Sequence, residues 1–341
     1  MLTNRLCNRC GGRNLAAPPL FIGPAPCQIA GMTQLTTQDG TPVSRLTFGT
    51  MQFGGKADAA ESAAMYDAAR AAGITHFDTA VRYTDGAAEK ILGQLIKHEH
   101  DKIYLATKVG YTGGAGRANI LAQFDICRSQ LQRDQVDLLY LHRFDDDTPL
   151  QETFATMAEL QARGAIRHIG VSNYAAWQVM KAQAVARDLG TRIDVMQPMY
   201  SLVKRQAEVE IFPMAQDQGI ALVPYSPLGG GLLTGKYASG GTGRLTDDPR
   251  YAVRYGQGWM HDVAARLTAL ARDASTDPAT LAVAWVMTHA TRPSPIISAR
   301  SLAQLRPSLA AADFTMSADI YAQITALSPA PPPATDRLEE A

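Results

Sequence analysis

A chain of 341 residues with 46% hydrophobic and 19% charged residues can bury a sizeable core, and it holds no long polar or like-charged tract that would keep it unfolded. Lys plus Arg number 32 and Asp plus Glu number 32, and this zero net charge argues against a nucleic-acid binder, whose affinity rests on neutralising phosphates. No apolar run reaches the roughly 18 residues that a membrane-spanning helix needs, so no membrane partner is expected.

In chain order, residues 1–31 differ from the rest. Pro18, Pro19, Pro24 and Pro26 interrupt them, and no periodicity is visible. Cys7-Asn8-Arg9-Cys10 has the spacing of half a tetrahedral zinc site, but only Cys27 follows nearby, so no metal is expected. The apolar stretch around Leu20-Phe21-Ile22 is too short and proline-broken for a secretory signal. A disordered extension without chemistry is the expectation, with Met32 as a candidate start. The body then holds one cysteine, Cys127, which cannot form a disulfide framework and suits a reducing, cytoplasmic setting.

From Met32 the chain reads regularly. Leu35–Leu46 has the pattern of a hairpin with Asp39-Gly40 as its turn. Strands are predicted at Leu46–Thr50, Thr75–Ala80, Ile103–Val109, Asp137–His142, His168–Asn173, Ile193–Gln197, Ala221–Tyr225 and Pro295–Ala299. Helices are predicted between them at Ser62–Ala72, Glu89–Lys97, Ile120–Leu131, Leu150–Ala162, Ala176–Arg187 and Gln206–Gln218. The run Asp145-Asp146-Asp147 is expected to cap the helix that follows it.

Strict strand–helix alternation at this count favours an α/β fold of one kind, a single (β/α)8 TIM barrel over residues 32–327. The N-terminal β-hairpin precedes it, and a flexible Pro-rich tail over 328–341 follows. The Gly-rich stretch from Leu228 to Met260 is a long loop after strand seven, and a loop of that length usually covers a ligand.

Chemistry in such a barrel collects where strands end and loops begin. Asp78 ends strand two in Phe77-Asp78-Thr79-Ala80, Tyr83 lies five residues on, Lys108 ends strand three, and His142 ends strand four. Taken singly, each has an ordinary structural reading. On consecutive strand ends they are predicted to converge on one pocket.

The stretch Gly73-Ile74-Thr75-His76-Phe77-Asp78-Thr79-Ala80-Val81-Arg82-Tyr83 resembles the signature of the aldo-keto reductase superfamily. The similarity continues through Lys108, His142, Ile169-Gly170-Val171-Ser172-Asn173, Gln197-Pro198-Met199-Tyr200 and Tyr225-Ser226-Pro227-Leu228, and covers Leu46 to Phe314. The resemblance implies an enzyme that moves hydride from a nicotinamide to a small aldehyde or ketone. Carbonyl reduction also needs a proton at oxygen, and the Tyr83 phenol, with an ordinary pKa of about 10, carries one at neutral pH. Lys108 beside it would stabilise a developing tyrosinate, Asp78 would hold the ammonium, and His142 would orient the carbonyl oxygen.

The resemblance also implies the cofactor contacts. Ser172, Asn173 and Gln197 match residues that bond the carboxamide, and Tyr200 matches the aromatic that stacks on the nicotinamide. Thr50, Met51, Tyr225, Ser226, Pro227, Leu228, Gly229 and Lys236 fall along the rest of the cofactor, and Ser298, Arg300 and Gln304 at its adenosine phosphate. Arg300 suits a ribose 2′-phosphate, which points to NADPH rather than NADH. Ser298 and Ser308 depart from the residues common at their positions. Substrate walls are expected from Phe53, Arg82 and Phe144, with Met51 beside them.

Two motif fragments are set aside. Gly230 to Tyr237 nearly spells a phosphate-binding loop, but Tyr237 replaces the Ser or Thr that magnesium requires. Gly114-Ala115-Gly116 lacks the third glycine of a dinucleotide fingerprint. Two rival functions fit the same residues: a Schiff-base aldolase using Lys108, and a cofactor-sensing auxiliary subunit resembling potassium-channel beta subunits.

Overall fold

The computed structural model describes residues 33–337 and 339. The extension predicted over residues 1–31, with Cys7, Cys10 and Cys27, lies outside the described residues.

All eight predicted strands are present: β1 Thr47–Gly49, β2 His76–Asp78, β3 Tyr104–Val109, β4 Val136–Leu141, β5 Ile166–Ser172, β6 Val195–Gln197, β7 Ala221–Leu222 and β8 Ile296–Ile297. They form one parallel sheet in the order β7-β6-β5-β4-β3-β2-β1-β8, curled like a barrel. Strands β7 and β8 have two residues each because prolines cut their ladders. Pro224 follows β7, and Pro293 and Pro295 precede β8, each removing an N–H donor. Pairing nevertheless continues past the strand ends. Ser294 N donates to Leu222 O at 2.9 Å and Ile296 N to Pro224 O at 2.8 Å, joining the two edges.

The helices α1 Ala59–Ala71, α2 Ala87–Leu95, α3 Arg117–Leu131, α4 Leu150–Ala162, α5 Ala176–Asp188 and α6 Ile211–Gln218 alternate with the strands. The helix predicted over Gln206–Gln218 is split into a 3-10 turn at Gln206–Glu208 and α6. Pro213 explains the break: lacking an N–H, it sits only in a first turn, so α6 starts at Ile211. Asp145 does not cap α4, whose N-cap is Pro149 without a side-chain bond. Its carboxylate instead accepts from Ala115 N and Thr148 Oγ1, both at 2.6 Å, and ties the loop after β3 to the loop after β4.

The stretch after β7 is not a plain loop. It holds 3-10 turns at Gly229–Thr234 and Lys236–Ser239, then α7 Arg244–Asp247 and α8 Pro249–Tyr255. The chain continues through α9 Gly258–Asp273, α10 Pro278–Thr288, α11 Leu302–Leu309 and α12 Ala318–Thr325. Asp58, Asp277, Ser301 and Ser317 cap α1, α10, α11 and α12 by accepting backbone N–H groups of the first turn.

The predicted hairpin is reduced to one antiparallel bridge, Thr36 with Pro42, around the turn at Gly40. Leu35 and Val43 from it pack against Tyr104, Leu138, Val195 and Val223, which point into the sheet's interior. Asp39 N donates to Asp101 O just before β3, so the hairpin stops the N-terminal end of the strands. The outer core lies between sheet and helices, and Phe48, Phe77, Phe124, Phe154 and Trp285 are fully buried in it. The opposite, C-terminal end of the strands carries the loops, and there the predicted site is found. Among the described residues no helix is long and apolar enough to cross a membrane.

Candidate active site

Side chains alternate along a strand, so Tyr104, Ala106 and Lys108 of β3 share one face. That face is the interior, and it delivers the Lys108 ammonium, wholly buried, beneath the C-terminal mouth. β2 delivers Asp78 to the same place by the register Asp78 with Ala106. The β2–β3 pairing then runs on beyond the strand, with Thr79 N donating to Ala106 O and Val81 N to Lys108 O. This continuation carries Tyr83 back over the lysine.

Lys108 Nζ donates to Asp78 Oδ1, to the Thr79 carbonyl at 2.8 Å and to the Tyr83 hydroxyl at 3.4 Å. Its three protons are therefore spoken for. Asp78 Oδ2 accepts from the Gln197 amide at 2.9 Å. Tyr83 meets His142 edge to face, ring centroids 6.0 Å apart at 78°. The four predicted groups thus converge.

Their electrostatics follow from burial. Burial pulls Lys108 down, but Asp78 and then Tyr83 outweigh it and hold the amine above its ordinary range, as an ammonium. Burial raises Asp78, and Lys108 offsets this in part. Burial also raises the Tyr83 phenol, with Lys108 opposing, so Tyr83 keeps its proton at neutral pH. His142 is pushed down to about 3 by burial and by the Lys108 charge, and is a neutral imidazole. A fully bonded ammonium is no nucleophile, which removes the physical basis of the aldolase reading.

Residues from β5, β6 and β7 brace the rim. Ser172 Oγ donates to Gln197 O at 3.0 Å, and Asn173 Nδ2 donates to His142 O at 2.9 Å. Tyr225 donates through its hydroxyl to Asn173 Oδ1 at 2.7 Å. Asn173 and Ser226 take left-handed backbone conformations, φ 56° and 61°, uncommon outside glycine and a frequent mark of a constrained site. Thr50 spends its hydroxyl on the Asp78 carbonyl at 3.2 Å. Met51, Leu228 and Lys236 are half-buried, while Pro227 and Gly229 are buried.

Two predicted residues are elsewhere. Tyr200 is fully buried in the outer core, stacked on Trp285 at 5.3 Å, edge-on to Phe212, with its hydroxyl donated to Glu208 at 2.5 Å. No face of its ring is free for a nicotinamide. The half-exposed aromatic at the mouth is Tyr225. Phe53 is likewise buried, 5.6 Å from the ring of Phe48, and is core rather than pocket wall. Arg82 is exposed, and Phe144 packs on Tyr174 and Trp177.

A cationic group lies under the long stretch after β7. Arg300 Nη1 pairs with Asp247 Oδ2 at 3.0 Å, and Lys236 is lowered first by burial and then by the charge of Arg300, with Arg244 also acting on it. Gln304 Oε1 accepts from Arg300 N at 3.4 Å. Ser298 Oγ is buried without a hydrogen-bond partner among the described residues. Ser308 is buried within α11.

Sequence reasoning missed Arg244, Tyr111 and Tyr251. Tyr111, nearly half exposed, has its ring 5.0 Å from that of His142. Its position three residues past Lys108 was the available signal. Tyr251 of α8 lies against Gly230, where a Cβ would come within 2.7 Å of its ring. Nothing in the spacing marks it.

Residues 45–329 match the family model described as Aldo/keto reductase family. The chain is 31% identical over 313 residues to the uncharacterized oxidoreductase YrpG of Bacillus subtilis (strain 168), covering 86% of this chain and 94% of that protein. It is 38% identical over 195 residues to aflatoxin B1 aldehyde reductase member 2 of Homo sapiens, covering 55% of this chain and 54% of that one. It is also 30% identical over 300 residues to a probable voltage-gated potassium channel subunit beta of Arabidopsis thaliana, covering 81% of this chain and 89% of that one.

Proposed function

Because the chain belongs to the aldo/keto reductase family and is an oxidoreductase of it, we propose that it reduces an aldehyde or ketone to the alcohol with NADPH, Tyr83 giving the proton. The observation that carries this reading is the Lys108 ammonium, held by Asp78 and Thr79 O at 3.4 Å from the Tyr83 oxygen.

The residues at the mouth fit a nicotinamide dinucleotide. Tyr225, half-exposed and fixed by Asn173, is the ring that would stack on the nicotinamide, in place of the buried Tyr200. Ser172, Asn173 and Gln197 surround it. The partnerless Ser298 hydroxyl, with Lys236, Arg244 and Arg300 around a single carboxylate, Asp247, suits phosphate groups. Three cations against one acid favour the extra 2′-phosphate, hence NADPH over NADH. When bound, the nicotinamide supplies the hydride.

The protein's own part is to place and to protonate. His142, neutral, donates to the carbonyl oxygen and orients it. Tyr83 gives its proton to that oxygen as charge builds there, and becomes tyrosinate-like. Lys108 stabilises this charge at once, because it is already aimed and its desolvation is already met by Asp78. In reverse, the tyrosinate takes the proton from an alcohol.

The curled sheet is read as a closed (β/α)8 TIM barrel over the described part of the expected span, residues 33–327, supported by the bonds from Ser294 N and Ile296 N across its edges.

The test is NADPH consumption against a panel of aldehydes, sugars, dicarbonyls and keto-steroids, with Tyr83→Phe as the paired variant. Loss of about 10²–10⁴-fold in kcat with unaltered NADPH binding is expected. Full activity in Tyr83→Phe would remove the proton-donor assignment. Tight NADPH binding without turnover on any carbonyl would instead favour an auxiliary subunit.

A further inference from the structure

The Lys108 ammonium faces two phenol rings. Tyr83, at 5.0 Å from Nζ to ring centroid, is accounted for as the proton donor. The second, at 5.7 Å, is Tyr140.

Tyr140 is fully buried in the interior and stands opposite Lys108 in the β3–β4 register. Its hydroxyl makes no hydrogen bond of ordinary geometry among the described residues, with the Gln197 side chain acting on it only as a loose neighbour. A buried hydroxyl left unpaired is costly, and an aliphatic side chain would fill an interior layer without that cost. The neighbouring strand has also given way to the ring. Gly170 of β5 is in register with Tyr140, and a Cβ there would lie 2.4 Å from Cδ1 and 2.6 Å from Cε1 of the ring. Such an approach is impossible without displacing an aromatic that is packed on all sides. The phenol is raised well above its ordinary range, by burial first and then by Asp78, with Gln197 opposing, so it is a neutral ring facing a cation.

We propose that Tyr140 is a positioning residue of the reduction, its ring forming the floor that keeps the Lys108 ammonium charged and aimed at Tyr83, with Gly170 as the space the ring requires. The inference rests on the reading of Tyr83 as proton donor. Lys108 is held by Asp78 and by Thr79 O at 2.8 Å, more closely than by Tyr83 at 3.4 Å, so its reach to the phenol is the weakest of its three bonds. The Tyr140 face supplies attraction to the cation beside the carboxylates that also act on it, Asp78 directly and the buried Glu89, bonded to Thr107, at longer range, and attraction of this kind strengthens when water is excluded. It favours the ammonium over the amine without adding a negative charge that would oppose the tyrosinate.

Removing the ring while keeping an apolar filler separates this role from packing. In Tyr140→Leu, kcat with a neutral aldehyde should fall about tenfold, and the alkaline limb of its pH profile should move down by about one unit. The KM for NADPH should stay within twofold. Tyr140→Phe, which restores the ring without the hydroxyl, should rescue both kcat and the limb. Gly170→Ala should lower kcat in the Tyr140 background and add nothing in the Tyr140→Leu background. Should the leucine variant not fold, Tyr140→Met replaces it.

An unmoved alkaline limb in the ring-free variants overturns the proposal. So does a phenylalanine variant as impaired as the leucine one, since that would place the effect on the hydroxyl. Tyr83→Phe is run in the same assay: if it retains activity, the reading of the site fails, whatever Tyr140 does.

Discussion

The two ends of the sheet use the same residue types for opposite purposes. At the N-terminal end, Asp137 on β4 and Asp194 before β6 are buried carboxylates, each beside an arginine. Asp137 accepts from Leu105 N at 2.8 Å and pairs with Arg167 at 2.6 Å. Asp194 accepts from Ile169 N at 3.1 Å and lies 3.5 Å from Arg192. Each therefore stitches its strand to the backbone of a neighbour. At the C-terminal end, Asp78 accepts only from side chains, Lys108 and Gln197. Its bonds lead to a cation that reaches a phenol at the mouth. A buried acid spent on backbone N–H groups serves stability, whereas one spent on a cation that reaches a proton donor can serve chemistry.

The sharpest way to break the comparison is to remove the cation at the C-terminal end. Lys108→Met takes away the charge that stabilises a developing tyrosinate and leaves Asp78 buried without its partner. A loss in kcat of about 10³-fold is expected, the size seen when one preorganised electrostatic group is deleted. Steady-state kinetics with a fixed NADPH concentration would show it. Activity within tenfold of the parent would mean that Tyr83 works without Lys108.

The mirror experiment acts at the other end. Asp137→Ala orphans the Leu105 N–H and leaves the Arg167 guanidinium without its carboxylate, though still bonded to Thr36 O, in a carboxylate site that is 2% exposed. Breaking a buried pair by removing one partner costs about 3–5 kcal/mol. Urea unfolding should show this loss, while kcat per folded molecule stays within twofold. A large kcat defect with intact stability would show that the two ends are not separate in purpose.

The sequence exposed the framework of this contrast well, because the relevant placements follow from strand periodicity. Lys108 shares a face with Tyr104 and Ala106 by alternation alone, and Asp78 and His142 fall at strand ends that apolar runs mark clearly. The resemblance places Tyr200 at the nicotinamide, against its own strand parity. Pairing continues past β6 at the parallel bridge of Met199 with Tyr225, and alternation puts Tyr200 on the helix-facing side with Met196, stacked on Trp285. The expectation for Phe53 fails for another reason: it lies in the turn after β1, where alternation no longer dictates direction. Tyr251 and Arg244 were invisible for a different reason. They sit on short helices whose place over the mouth depends on tertiary contacts, such as Tyr251 on Gly230, rather than on any local pattern.

The smallest expected effect concerns His142, the member of the site whose protonation the fold most firmly resists. Its imidazole is lowered from 6.5 to about 3, first by burial and then by Lys108. A histidine held neutral in the folded state contributes stability that is complete above its unfolded value and is lost as pH falls from 6.5 toward 3, because the unfolded chain binds the proton first. Comparing wild type with His142→Gln isolates this from the buried carboxylates, which are common to both. Between pH 7 and pH 5 the wild type should lose up to about 2 kcal/mol more than the variant, read from urea midpoints. The same depression predicts that an assigned His142 ring resonance stays unshifted over this range. A ring that titrates near pH 6.5 would show that neither burial nor the Lys108 charge holds it neutral, and the picture of one electrostatically joined site at the C-terminal end would lose its fourth member.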